Sequence, residues 1–315
     1  MSMKSKSLIE RAWSLAKRGT RVPIGPLALH LRLARAVRVS RDHRPRSAFC
    51  LPWSRMKSVA MPDGFRPLAT PRTENAGAPA VAPGVALIVG TGPGLGSALA
   101  RRFSAGGMAV AVVARNTQKL DGLMNDLQAL GGSVRRYGCD ASDERGIKSM
   151  LNRLVGDLGV PDVVVYNVEH FVPGTILDIE TSAFEECWRA MTLGGFIVGR
   201  EAARLMVPRG SGTIIYTGAT GALRGRAEYL NMAVGKFGVR ALAQSMARDL
   251  APKGIHVAHV VLDGGILPSH SADEATERHS RMHPAHIAEV YYQLHLQHRS
   301  TWTHEMDLRP WTETF

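Results

Sequence analysis

From residue 85 onward the sequence predicts a doubly wound α/β fold, a parallel sheet with helices on both faces. Three observations carry that prediction. Runs of six to eight residues rich in Val, Ile and Ala alternate with amphipathic helical stretches; the runs are mostly continuous and do not alternate apolar with polar; and a glycine cluster stands between the first run and the first helix. Continuous apolar strands are covered on both faces, and helices between them imply right-handed crossovers joining parallel neighbours.

Taken in order, VALIVG at 85–90 is a buried strand and 94–104 the helix that follows it. MAVAVVA at 108–114 is the second strand, 117–130 a helix, SVRRYGC at 133–139 the third strand and 143–158 a helix. DVVVYN at 162–167 is the fourth strand, 184–206 a long helix and GTIIYTG at 212–218 the fifth strand. A helix over 227–250 and the strand IHVAHVVL at 255–262 complete the repeat. Beyond Pro284, the helical spacing of Ile287, Val290, Tyr291 and Leu294 predicts one more helix, and WTHEMDLRPW a last strand. The sequence thus divides into a basic extension (1–60), a linker rich in Pro, Ala and Gly (61–83) and one α/β domain (84–315).

Composition fits that division. With 315 residues, 45% apolar and 21% charged, the chain is neither a disordered nor a collagen-like polymer. Cys50, Cys139 and Cys187 show no paired or metal-type spacing, which points to a reducing compartment. Every apolar run is interrupted before the roughly 18–20 residues that a membrane-spanning helix needs, so no integral membrane association is expected. Seven of the twelve histidines lie from His270 on without a ligand motif, so no metal site is expected.

The charge is concentrated in the extension. Residues 1–60 hold fourteen Lys and Arg against Glu10 and Asp42, a balance of +12 that equals the charge of the whole chain. On a helix, Lys4, Arg11 and Arg18 form a basic face and Leu8, Ala12 and Leu15 an apolar one. Import into mitochondria reads such an Arg-rich, acid-poor, amphipathic leader. The alternatives are a disordered tail, a true start at Met56 or Met61, or a surface that touches anionic lipid or nucleic acid; without a leader function the protein is cytoplasmic. Nucleic-acid binding is not expected of the domain, because its own charges cancel.

In doubly wound sheets ligands sit beyond the carboxyl ends of the strands, which singles out Gly90-Thr91-Gly92-Pro93-Gly94-Leu95-Gly96. Glycines let the backbone turn tightly and approach a diphosphate, which the helix N-terminus then stabilises. The position of the cluster points to a dinucleotide. The second strand ends at Ala114-Arg115, where a site for NAD would present a carboxylate to the ribose. A guanidinium there suits a 2′-phosphate, so NADP is expected over NAD.

These residues, with Asp140 after the third strand, Asn167 at the end of the fourth and Lys236 in the long helix after the fifth, resemble the short-chain dehydrogenase/reductase family over roughly residues 84–315. The resemblance implies a Rossmann-type domain and an oxidoreductase acting on a small carbonyl, alcohol or enone. It also implies a homo-oligomer built on the helices at 184–206 and 227–250. By the same resemblance Asp140 contacts the adenine, Asn167 lies near the adenosine ribose, Lys236 holds the nicotinamide ribose and Ile266 lies by the carboxamide. The reaction half departs from the family. Its Tyr, four residues before the Lys, is Met232, and its Ser, thirteen before that, is Ala219. Thr192 stands at the Asn of the preceding helix, Val168-Glu169 replace Ala-Gly, and Asp263 stands where Pro precedes Gly264.

Hydride transfer to a carbonyl leaves an alkoxide, and a positioned acid contributes about 10²- to 10⁴-fold to its protonation. Met232 has no proton to give and Ala219 cannot hold an oxyanion. Tyr229 and Thr220 are the candidate replacements, with Thr217 and Tyr216 nearby, although Tyr229 lies about 10 Å from Lys236 along the helix axis against about 6 Å for the missing Tyr. Two readings follow: an NADP-linked oxidoreductase with a non-standard site, or a catalytically silent NADP-binding homologue serving as sensor or subunit.

Overall fold

A computed structural model describes residues 84–268 and 280–313. The basic extension and the linker predicted over 1–83 lie outside the described residues. The elements are β1 (Val85–Val89), α1 (Leu95–Ala105), β2 (Ala109–Ala114), α2 (Asp121–Ala129), β3 (Val134–Gly138), α3 (Glu144–Asp157), β4 (Val163–Tyr166), α4 (Thr181–Trp188), α5 (Gly194–Met206), β5 (Gly212–Thr217), α6 (Leu230–Leu250), β6 (Ile255–Leu262), β7 (Gly265–Ile266), β8 (Arg281–Met282), α7 (Pro284–Leu296) and β9 (Glu305–Leu308). Seven strands form one sheet in the order β3-β2-β1-β4-β5-β6-β9, every neighbouring pair parallel.

The continuous apolar strands divide their side chains between two cores. In β1, Val85, Leu87 and Val89 enter one cluster with Met150 and Leu151 of α3, Ile197 and Val198 of α5, and Val239 and Ala243 of α6. Ala86 and Ile88 enter the other with Leu99 and Phe103 of α1, Leu123 and Leu127 of α2, and Ile287 and Tyr291 of α7. Both faces are therefore covered, and the period-2 geometry of a strand sends apolar side chains to each. Strand order reverses between β1 and β4, whose ends pair as Val89 with Tyr166. That reversal opens the crevice in which doubly wound sheets bind ligands.

Three local features differ from the sequence expectation. The helix expected over 184–206 contains a π-helical turn, Arg189–Leu193, between α4 and α5. There the Ala190 carbonyl accepts the Tyr166 hydroxyl, a side chain inserted into the helix ladder, and Gly194 leaves the space that this hydroxyl fills. The helix expected from 227 begins at Leu230, after Glu228 in a left-handed conformation (φ 66°). Ile266, which follows the last strand of the predicted repeat, lies in a further short strand, β7, paired with β8.

The last strand is tied to the core through charge. Arg240 of α6 donates two hydrogen bonds to Glu305 of β9, at 2.7 and 2.6 Å, and fully buried His259 of β6 meets the same carboxylate through Nδ1 at 2.9 Å. The Arg240 hydrogen bonds hold the Glu305 carboxyl below its usual range. Burial pushes the imidazoles of His256, His259 and His295 down from the ordinary value of 6.5. Such groups stay neutral in the fold while the unfolded chain takes up protons, so stability is full above about pH 6.5 and falls as pH drops toward the folded values. Calorimetry should show the thermal midpoint falling between pH 7.5 and 5.5; a flat midpoint across that window contradicts neutral buried imidazoles.

Candidate cofactor and reaction cleft

The turn after β1 is shaped by what glycine allows. Gly90 has φ +88°, and a Cβ there would lie 2.7 Å from the Asn167 carbonyl oxygen and 2.8 Å from the Val168 nitrogen. Only a residue without a side chain brings the ends of β1 and β4 this close. Asn167 completes the junction by donating from Nδ2 to the Gly90 carbonyl at 3.2 Å. At Gly96 a Cβ would stand 2.8 Å from the Thr91 Cα, so α1 packs directly on the turn. Gly92 and Gly94 instead face open space. Ser97 folds back on the Gly92 carbonyl through N (3.0 Å) and Oγ (2.7 Å) and holds the turn in shape. Helix α1 has no side-chain cap and no acidic residue in its first turn. Its first amides and its dipole remain available to an anion, as a dinucleotide diphosphate requires.

A cleft of about 700 Å³ runs from this turn past Arg115, Lys119, Asp140 and Asn167. Exposed Arg115 directly follows β2. Lys119 adds a second cation that the sequence reading missed; its four-residue spacing from Arg115 was the available signal. The Asp140 carboxylate is oriented by Ser142, which donates from its backbone N and its hydroxyl, both at 2.8 Å. Burial raises the Cys139 thiol above its ordinary range, against a nucleophilic role.

A second cleft of about 560 Å³ continues beyond Asn167 and is lined by Leu95, Ala219, Thr220, Tyr229, Met232 and Ile266. Beneath it lies Lys236, 1% exposed, whose Nζ donates to the Thr217 carbonyl at 3.0 Å and the Val168 carbonyl at 3.5 Å. Burial lowers the proton affinity of this ammonium, and the Glu169 charge opposes that effect. The structure thus brings Lys236, Ile266, Met232 and Ala219 to one place, and the two positions that carry proton-handling groups in the family present a thioether and a methyl.

The candidate replacements differ in what they offer. The Thr220 hydroxyl donates to Asp263 Oδ1 at 2.6 Å. Asp263 is fully buried, accepts from Arg309 at 2.8 Å, and has Arg224 at 3.7 Å. The threonine proton is engaged by this carboxylate, so Thr220 presents its lone pairs to the cleft. Tyr229, at the start of α6, lines the cleft with its ring stacked on Phe171 (centroids 4.7 Å apart) and with Arg226 beside it. Thr217 accepts from Tyr291 on the opposite face, Tyr216 donates to the Gly195 carbonyl deep in the core, and Thr192 donates to the Gly235 carbonyl. Asp263, Arg224, Arg226 and Glu169 all border this cleft or brace it, and only the departure of Asp263 and Glu169 from the family pattern marked them in the sequence. Replacing Asp263 with Ala removes the acceptor of both Thr220 and Arg309 and the 3.7 Å neighbour of Arg224, and should cost about 3–5 kcal/mol. Thr220→Val, which removes one hydrogen bond to that carboxylate, should cost about 1–3 kcal/mol. Urea denaturation checks both values, and equal costs would place the weight of the network on the threonine.

The comparisons agree with this geometry. The family model described as short chain dehydrogenase matches residues 84–278. A short-chain dehydrogenase/reductase of Armillaria gallica is 31% identical over 180 residues, covering 55% of this chain and 67% of that protein. The crystal structure of a short-chain dehydrogenase from Rhodopseudomonas palustris superposes with a TM-score of 0.65 at 37% identity, covering 72% of this chain and 99% of that one. A gluconate 5-dehydrogenase from Burkholderia cenocepacia, solved with NADP and tartrate, shares the fold at 21% identity and a TM-score of 0.65, over 73% of this chain and 95% of that one. With the glycine turn, the buried Lys236 and the parallel sheet in place, the chain belongs to the short-chain dehydrogenase/reductase family.

Proposed function

We propose that the protein is an NADP(H)-dependent oxidoreductase that acts on a small carbonyl, alcohol or enone through a site without the family's Tyr and Ser. The observation that carries the cofactor preference is the pair Arg115 and Lys119 on the cleft that begins at the uncapped start of α1. Two cations and no carboxylate at the end of β2 suit a 2′-phosphate, and the NADP found in the gluconate 5-dehydrogenase of the same fold is consistent with it. When bound, the nucleotide supplies or accepts a hydride. Gly90, Gly92 and Gly94 admit the diphosphate, Asp140 and Asn167 flank the adenosine, and Lys236 and Ile266 flank the nicotinamide end. Lys236, fixed by two carbonyls, orients a ribose hydroxyl through its remaining donor capacity. Because Met232 and Ala219 offer no proton, the reaction takes its proton from water or from the substrate, which suits hydride transfer to the carbon of an enone better than to a plain ketone.

A second reading, a silent NADP-binding subunit or sensor, is favoured by the same two apolar side chains in the cleft. Homo-oligomer formation is proposed through α5 and α6, where Phe196 and Phe237 are more than two-fifths exposed. No helix among the described residues is long and apolar enough to cross a membrane. Calorimetric titration should show NADPH binding more tightly than NADH, with Arg115→Ala reducing that preference about tenfold or more. A panel of carbonyls, alcohols and enones, followed by nucleotide absorbance, then separates the readings: turnover abolished by Lys236→Met supports the enzyme, and binding without turnover supports the silent homologue. For the extension we propose mitochondrial import. N-terminal sequencing of the natural protein should find a start well beyond Met1, and an intact Met1 on the mature chain overturns that proposal.

A further inference from the structure

Glu169 occupies a position shared by both clefts. It borders the adenosine side together with Gly92 and Asp140, and the reaction side together with Met232 and Ile266. A dinucleotide that spans the two therefore passes this carboxylate. The residue follows Val168, whose carbonyl receives Lys236 Nζ at 3.5 Å, and the Lys236 ammonium senses the Glu169 charge. No ion pair ties Glu169 to a cation among the described residues, so its charge is directed to the crevice and to Lys236. In the family motif at this strand end the position is glycine; here a charged side chain projects from it.

We infer that Glu169 sets which oxidation state of the nicotinamide cofactor the site holds more tightly, and that it favours the oxidised form. This rests on the cofactor reading proposed above. The two forms share their adenosine, diphosphate and riboses and differ by one positive charge on the nicotinamide ring. Contacts at Gly90, Gly94, Arg115 and Asp140 therefore bind both alike and discriminate neither. Discrimination comes from charges near the ring; Arg224, Arg226 and Glu313 also line the reaction-side cleft, and Glu169 and Lys236 are the two coupled through the Val168 backbone. Lys236 repels the cationic ring, while Glu169 attracts it. The ammonium is buried behind backbone carbonyls that absorb part of its field, whereas the carboxylate opens into the cleft. A unit charge several ångströms from the ring across a partly wetted cleft shifts relative affinity by about 3- to 10-fold, less at high salt. Tighter binding of the oxidised form makes the bound reduced form the stronger hydride donor, a bias toward reduction of the substrate.

The test is a pair of titrations on the full-length protein, with NADP⁺ and with NADPH at pH 7.5, for the unsubstituted chain and for Glu169→Gln. The expected result is a ratio of NADP⁺ to NADPH affinity that falls about 3- to 10-fold in Glu169→Gln. The change should appear mainly in NADP⁺ binding, and the unsubstituted ratio should shrink as salt rises. A thermal midpoint within a degree or two of the original certifies the variant fold; should the variant unfold, Glu169→Gly, the family's residue, takes its place. Binding of both nucleotides with a ratio that the substitution leaves unchanged overturns this inference and leaves the cofactor reading standing. Binding of neither overturns both.

Discussion

The contact on which the rest of the structure depends is the backbone approach of Gly90 to Asn167 and Val168. Strands β1 and β4 are neighbours in the sheet, and their chains leave it toward helices on opposite faces. For the crevice between them to accept a ligand, the β1 turn must fold back under the end of β4. Gly90 makes this possible with a left-handed φ and with no Cβ where the Asn167 carbonyl stands. The same turn presents the start of α1 uncapped. It also places Val168 so that its carbonyl helps to hold Lys236. One steric constraint thus links the uncapped start of α1 to Lys236 at the other end of the crevice.

The two ends nevertheless rest on different chemistry. At the proposed nucleotide end, glycines and the uncapped start of α1 shape the cleft, and Arg115 and Lys119 place positive charge along it. At the reaction end the family relies on two hydroxyls, and Met232 and Ala219 replace both. These substitutions leave the fold unharmed because each fills its space with apolar atoms: Met232 is 9% exposed and packs beside Gly221. Loss of a proton donor costs rate and not stability, so a cofactor site can persist beside an altered reaction site.

Much of this was legible in the sequence, and the limits have physical reasons. Strand β6 was readable to the residue because IHVAHVVL, apolar apart from His256 and His259, lies between Gly254 and Asp263. The tight turn expected at the glycine cluster is seen in the close approaches at Gly90 and Gly96. The π-helical turn was not legible, because it arises where the Tyr166 hydroxyl, more than twenty residues away, meets the Ala190 carbonyl. Lys119 escaped because a lysine on a short helical turn looks like any solvated charge until the neighbouring strand end brings it to Arg115. Asp263 was visible as a departure from the family, yet its meaning depended on Arg309, forty-six residues later.

Asp263 also decides what the hydroxyl of Thr220, one residue from Ala219, offers to the cleft. Proximity suggests Thr220 as a substitute, and proximity is all that spacing along a chain can report. The direction of its proton is decided by charge. A fully buried carboxylate must keep its partners, because an unpaired charge in the interior is costly, and Arg309 and Thr220 are those partners. If the threonine proton turned to a substrate oxygen, the buried carboxylate would lose a short hydrogen bond. The free energy therefore opposes donation and favours acceptance from a ligand hydroxyl. The network braces the cleft wall between β6, β9 and the loop after β5, and in doing so converts a potential donor into an acceptor.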